Sequence, residues 1–197
     1  MADRFGGGAV TFVGDRGMIK GPQIDALQAQ DGEFHYITAI TKPQIETLLK
    51  QGVVQMELFD EQVAEVTTEG GIRYVLRRNP TRAAEMAETR QSKLAALEQL
   101  VKEQNAYLAE HPRASVAVAR RKVEAKWKKL RLPAVDVKVD HAKADNAKAD
   151  DVQSAGRTLL LSKQQEAWEE SAKLDGCYCL KTDLLKETAS KEVIHDR

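Results

Sequence analysis

Residues 9–17 read Ala9-Val10-Thr11-Phe12-Val13-Gly14-Asp15-Arg16-Gly17. An uncharged run of apolar and β-branched residues, closed by a glycine, a carboxylate and a second glycine, is the pattern of a buried strand that ends in a loop. Downstream, Pro22 opens a short helix through Gln23-Ile24-Asp25-Ala26-Leu27 that stops near Gly32. Phe34 to Ile40 is again strand-like in composition, and Pro43 opens a second helix carrying Ile45, Leu48 and Leu49 as far as Gly52. Strand, helix, strand, helix in succession argues for an α/β layer. The sheet expected from this start is partial, because the strands that would come before residue 9 are missing from the sequence.

Further along, Val63-Ala64-Glu65-Val66 and Ile72-Arg73-Tyr74-Val75-Leu76 flank Thr67-Thr68-Glu69-Gly70-Gly71, which is a hairpin signal. Asn79-Pro80 supplies a cap and a first-turn proline for a long helix whose Leu94, Leu97, Val101 and Leu108 recur at helical spacing. His111-Pro112 breaks it. A second helix is expected from about Pro112 to Arg131, with Val116, Val123, Trp127 and Leu130 on one face, packed as an antiparallel partner of the first. Pro133 ends it, and Val135 to Val139 reads as a strand. Ala-Lys-Ala-Asp then occurs twice, at 142–145 and 147–150, in a stretch with the composition of a solvated loop. The rest returns to an α/β rhythm: a strand at Thr158 to Leu161, a helix around Trp168, a strand from Asp175 to Thr182 and a helix from Leu184 to Val193. The expected division is 1–52 as part of an α/β domain, 53–157 as a mixed α+β insertion with two long helices, and 158–197 as the return to the first domain.

The chain has 197 residues, with 30 Lys and Arg against 30 Asp and Glu, so bulk polycation binding is excluded and charge has to be read segment by segment. No apolar run reaches membrane-span length and the first residues carry no signal-peptide block, which predicts a soluble cytoplasmic protein. The two cysteines, Cys177 and Cys179, lack the count for structural zinc and the spacing of a redox pair, and alternate positions in a strand would bury both thiols on one face. The histidines, His35, His111, His141 and His195, show no ligand spacing.

Positive charge is concentrated in two places. Between Arg113 and Leu132 there are eight cations against Glu124 alone, a balance of +7 that includes Arg120, Arg121, Lys128 and Lys129. Such a segment is either a solvated helix face or a surface that neutralises nucleic-acid phosphates. Arg73, Arg77, Arg78 and Arg82 form the second cluster, and Arg77-Arg78-Asn79 at a strand-to-helix turn could grip a phosphate. Asp15, at the end of the first strand, sits where open α/β sheets place metal-binding and phosphoryl-transfer groups, although a turn-forming aspartate has the same local sequence.

A resemblance bears on these alternatives. Phe12-Val13-Gly14-Asp15-Arg16-Gly17-Met18-Ile19, Tyr36-Ile37-Thr38-Ala39-Ile40, Leu58-Phe59-Asp60-Glu61, the run Arg73 to Pro80 (Arg-Tyr-Val-Leu-Arg-Arg-Asn-Pro) and the run Leu174 to Asp183 occur in that order. In this the chain resembles the bacterial DDE transposases of the insertion-sequence-four group, over nearly its whole length. The resemblance implies an RNase H-like catalytic domain, partial here, in which three acidic residues hold two Mg²⁺ ions for cleavage and joining of DNA ends. Asp15 matches the second acid, as catalytic residue and metal ligand. The first acid would lie on an upstream strand, and the third on a helix following Ile194-His195-Asp196-Arg197, so the piece by itself is expected to be inactive. The family's insertion between the second and third acids holds the transposon end. This implies DNA contacts for Arg77, Arg78, Arg120, Arg121, Lys128 and Lys129, and a full-length transposase or a second copy as protein partner. The alternative is a non-enzymatic DNA-binding or helical interaction protein that at most inhibits a full-length transposase.

Overall fold

The computed structural model describes residues 9–15, 18, 21–28, 34–133, 135–140 and 157–196. In chain order its elements are β1 (Val10–Gly14), α1 (Gly21–Gln28), β2 (Phe34–Ala39), α2 (Lys42–Lys50), β3 (Ala64–Thr67), β4 (Arg73–Arg78), α3 (Pro80–Glu110), α4 (Val116–Leu130), β5 (Val135–Asp140), β6 (Thr158–Lys163), α5 (Gln165–Ala172), β7 (Cys177–Thr182) and α6 (Lys191–His195). They form a mixed α/β protein of two compact units, one drawn from residues 1–84 and 174–197, the other from 85–173. The Ala-Lys-Ala-Asp duplication, Arg16, Gly17, Gly32 and His141 lie outside the described residues.

The first unit is built on a five-stranded sheet in the order β1-β2-β7-β4-β3. β1 runs parallel to β2, as a strand-helix-strand unit requires, and every other pairing is antiparallel. The β3–β4 hairpin closes through Thr68 N to Ile72 O at 2.9 Å, with Gly71 at φ +77° supplying the left-handed turn residue. α2 starts where Pro43 predicts, and the side chain of Gln44 reaches back to accept from Thr41 N at 2.8 Å. Its Ile45 packs with Ile40, Val54, Phe59, Leu76, Leu174, Cys177 and Cys179 on one face of the sheet. The other face is covered by Leu184 and Ile194, which pack on Ile37 and Val75. Both thiols are buried and free, and burial pushes that of Cys179 up to about 12.

Leu94, Leu97, Val101 and Leu108 of α3 share one core in the second unit with Ala119 and Val123 of α4 and with Val135, Val137 and Leu159 of an antiparallel β5–β6 pair. Asn105 ties α3 to β6 by bonding both main-chain groups of Leu159, at 2.8 and 2.9 Å. Arg157 Nη2 lies within hydrogen-bond distance of the carbonyls of Leu108, His111 and Ala114, tying the end of α3 to the turn that follows it. The ring of Trp168 lies within cation–π distance of Arg90 and Lys163.

The compact units divide at 84/85 and 173/174, because β4 pairs along its whole length with β7 and so draws the hairpin into the main sheet. Two expectations are corrected. α4 begins at Val116, after a turn that His111-Pro112 starts. No helix runs from 184 to 193: Arg73 Nη1 takes the carbonyls of Leu184 (2.7 Å) and Ala189 (2.9 Å), holding that stretch in turns, and Ser190 caps the short α6 from Val193 N.

Gly176, at the start of β7, has φ +74°, and a Cβ there would lie 2.3 Å from Asn79 O and 2.9 Å from Ala83 Cβ. Gly176→Ala is therefore expected to destabilise the chain by about 2–4 kcal/mol, left-handed strain and backbone collision combined. Urea unfolding checks this, and a midpoint equal to the wild type's would overturn the close approach as a requirement of the fold.

Candidate functional site

Asp15 directly follows the last residue of β1, at the end where the parallel strands β1 and β2 both finish, and its carbonyl accepts from Met18 N at 3.0 Å. The residue is exposed. Among the described residues no group of three or more His, Cys, Asp or Glu side chains is placed to hold a metal ion. A hard divalent cation takes about six oxygen ligands, of which one carboxylate supplies at most two.

The arginines of β4 have three separate fates. Side chains alternate along a strand, so Arg73, Val75 and Arg77 share one face while Tyr74, Leu76 and Arg78 share the other. Arg73, 2% exposed, makes a two-pronged pair with Glu65 (Nε–Oε1 3.2 Å, Nη2–Oε2 2.9 Å) in addition to its two carbonyls. Arg78 is exposed and donates from Nε to the carbonyl of Asp175 at 3.2 Å. Arg77 donates from Nε to the carbonyl of Glu61 at 2.8 Å, and its Nη1 lies 3.0 Å from His195 Nε2. Arg77 and Arg78 thus point to opposite faces and cannot grip one phosphate as a pair.

Around Arg77 the structure assembles groups that lie far apart in the sequence. Tyr178 of β7 stands opposite Arg77 in register, its hydroxyl meets His195 Nε2, and the two rings lie 5.5 Å apart, centroid to centroid. His195 Nδ1 lies 2.8 Å from Asp196 Oδ1. Burial raises the Tyr178 phenol above its ordinary value, against the opposing pull of the Arg77 guanidinium. No local pattern groups Tyr178 with His195 and Asp196, since only the pairing of β4 with β7 and the docking of α6 bring them together.

On α4, Ala119 and Val123 are buried and Val116, Trp127 and Leu130 partly so, which sets the inward stripe. Arg121, Lys128 and Lys129 fall on the opposite arc at about 100° per residue and are exposed. Arg120, at the flank, donates to Glu124 at 2.7 Å, an i,i+4 pair that lowers its net charge.

Comparison of the chain with protein-family models, with curated proteins and with solved structures finds no match. No helix among the described residues is long and apolar enough to cross a membrane.

Burial pulls the Glu65 carboxyl upward, but the hydrogen bonds from Arg73 and Lys186 outweigh it and hold the group below the ordinary carboxylate value. A folded-state value below the unfolded one means the pair contributes its full stability at neutral pH and loses it as pH falls from the ordinary carboxylate value through the folded one. Glu65→Gln leaves Arg73 buried without its counter-ion and is expected to cost about 3–5 kcal/mol at pH 7. The gap to the wild type should narrow when urea midpoints are compared at pH 7, 5 and 3. A constant gap would refute the ionic assignment.

Proposed function

We propose that the chain is part of a DDE transposase, whose complete form cuts and joins DNA ends by Mg²⁺-dependent phosphoryl transfer, and that its first unit is part of an RNase H-like catalytic domain. The observation that most supports this is the placement of Asp15, a carboxylate just beyond the C-terminal end of β1 in a parallel β1–β2 pair. In open α/β sheets that is where charged ligands and metals gather. In-line attack at phosphorus is assisted when two metal ions each stabilise one of the exchanging oxygens, and several carboxylates must converge to hold them. Asp15 is the one acid of such a set that the chain matches, and alone it does not fit a two-metal site, so no step of the reaction is assigned to this chain.

The exposed basic arc of α4 favours a second reading, in which the chain binds DNA without cutting it and at most inhibits a full-length transposase. Flanking reading frame discriminates the two. An upstream strand ending in aspartate and a downstream helix carrying tyrosine and glutamate favour the enzyme, whereas stop codons on both sides favour the binding protein.

Purified chain incubated with Mg²⁺ or Mn²⁺ and terminal-repeat DNA is expected to leave the DNA intact; metal-dependent nicking abolished by Asp15→Ala would refute the argument from ligand number. DNA binding is expected to be weak and sequence-tolerant, with log affinity falling against log salt at a slope of roughly −3 to −4 if about four cations engage phosphates. Fluorescence anisotropy of a labelled duplex measures it. Changing Arg120, Arg121, Lys128 and Lys129 together to Ala should flatten the slope; an unchanged slope would make α4 a solvated face.

A further inference from the structure

Most of the circumference of α4 faces solvent. Its inward stripe of Val116, Ala119, Val123, Trp127 and Leu130 is covered wholly or in part, Glu124 at the margin is half-buried, and every other position of the helix is exposed. At about 100° per residue, consecutive side chains splay to the two sides of the exposed arc. Arg121 and Lys128 therefore line one side and Lys122 and Lys129 the other, and the two adjacent pairs recur after two turns, about 10.5 Å along the axis. Between these rows run Val118, 43% exposed, and Ala125, which carry no charge and little bulk. None of the four cations is paired with a carboxylate among the described residues, and the one carboxylate of the helix, Glu124, is held by Arg120.

Charge and side-chain type together select the occupant of this face. A second copy would set like charges against each other. The lane lacks the large apolar side chains that hold a helix in a lipid interface. It also lacks an aromatic platform for unpaired bases, because Trp127 lies on the inward stripe with its indole N–H bonded to Leu132 O at 2.9 Å. Two rows of cations around a slender uncharged lane complement an anion that has two charged walls and an uncharged floor. The major groove of B-form DNA has that form, is about 12 Å wide between its phosphate walls, and admits a helix of about 10–12 Å diameter. We propose that α4 enters the major groove of a B-form duplex, with Arg121 and Lys128 on the phosphates of one wall, Lys122 and Lys129 on those of the other, and Val118 and Ala125 against the base edges. This inference rests on the reading in which the chain binds DNA through α4. It adds the groove, the orientation of the helix and the exclusion of duplex RNA, whose A-form major groove is too deep and narrow for side chains to read. The lane offers methyl groups and no hydrogen-bonding side chain, so it distinguishes base pairs only through the thymine methyl.

The test measures binding of the full chain by fluorescence anisotropy to three labelled probes of one length and base sequence. They are a plain DNA duplex, the same duplex with every cytosine replaced by glucosylated 5-hydroxymethylcytosine, and an RNA duplex. The glucose fills the major groove and leaves the phosphate charge unchanged. Both modified probes should bind about tenfold or more weakly than plain DNA. These comparisons use the wild-type chain, so they do not depend on the folding of any variant. Ala125→Phe, an uncharged change at an exposed position, should weaken binding to plain DNA several-fold while leaving its salt slope unchanged. Arg121→Ala with Lys128→Ala, and separately Lys122→Ala with Lys129→Ala, should each reduce the slope by about 2, at roughly 0.9 per lost phosphate contact. A thermal melt checks that each variant is folded. Equal affinity for plain and glucosylated DNA, or for DNA and RNA duplexes, overturns groove entry and leaves DNA binding by α4 standing. A slope change confined to one of the two pairs also overturns it, since α4 would then lie along a single backbone. Absence of any binding to plain DNA overturns both readings, so the two failures are distinguishable.

Discussion

The first unit depends on β7 lying between β2 and β4. Without it, β1–β2 and β3–β4 would be separate two-stranded pieces, and such pairs are marginal in water. β7 joins them through contacts that span most of the chain: Thr182 Oγ1 donates to Tyr36 O at 2.6 Å, and Asp183 Oδ1 accepts from Tyr36 N at 3.0 Å. The cost of closing a loop grows only slowly with its length. An entire second unit can therefore stand between β4 and β7 without preventing the closure. The chain enters β7 through Gly176, whose missing Cβ lets it run against Asn79 and Ala83, where β4 gives way to α3. A fold held at its centre by its last strand concentrates sensitivity in residues 174–184 rather than in the amphipathic helices.

Most elements were legible because their causes are local. Apolar spacing marked α3 and α4, β-branched composition marked β1, β2 and β4, and Pro22, Pro43 and Pro80 marked helix starts, all properties that a window of ten to fifteen residues contains. The failure at residues 184–193 has a distant cause. Leu184 and Ala189 give their carbonyls to Arg73, more than a hundred positions earlier, and no local pattern encodes that bond. The joining of the hairpin to the main sheet is equally non-local, since residues 64–78 look self-sufficient until β7 pairs with them.

Charge was legible on the helix and illegible on the strand. On α4 the apolar stripe fixes which residues face inward, so the exposed arc of Arg121, Lys128 and Lys129 follows from spacing alone. On β4, three arginines within six residues look alike in sequence, yet Arg73 is buried against Glu65, Arg77 is half-buried beside His195, and Arg78 is exposed. Alternation predicts that neighbours face opposite ways. It does not predict which face receives α6, and that decides which arginine meets a histidine.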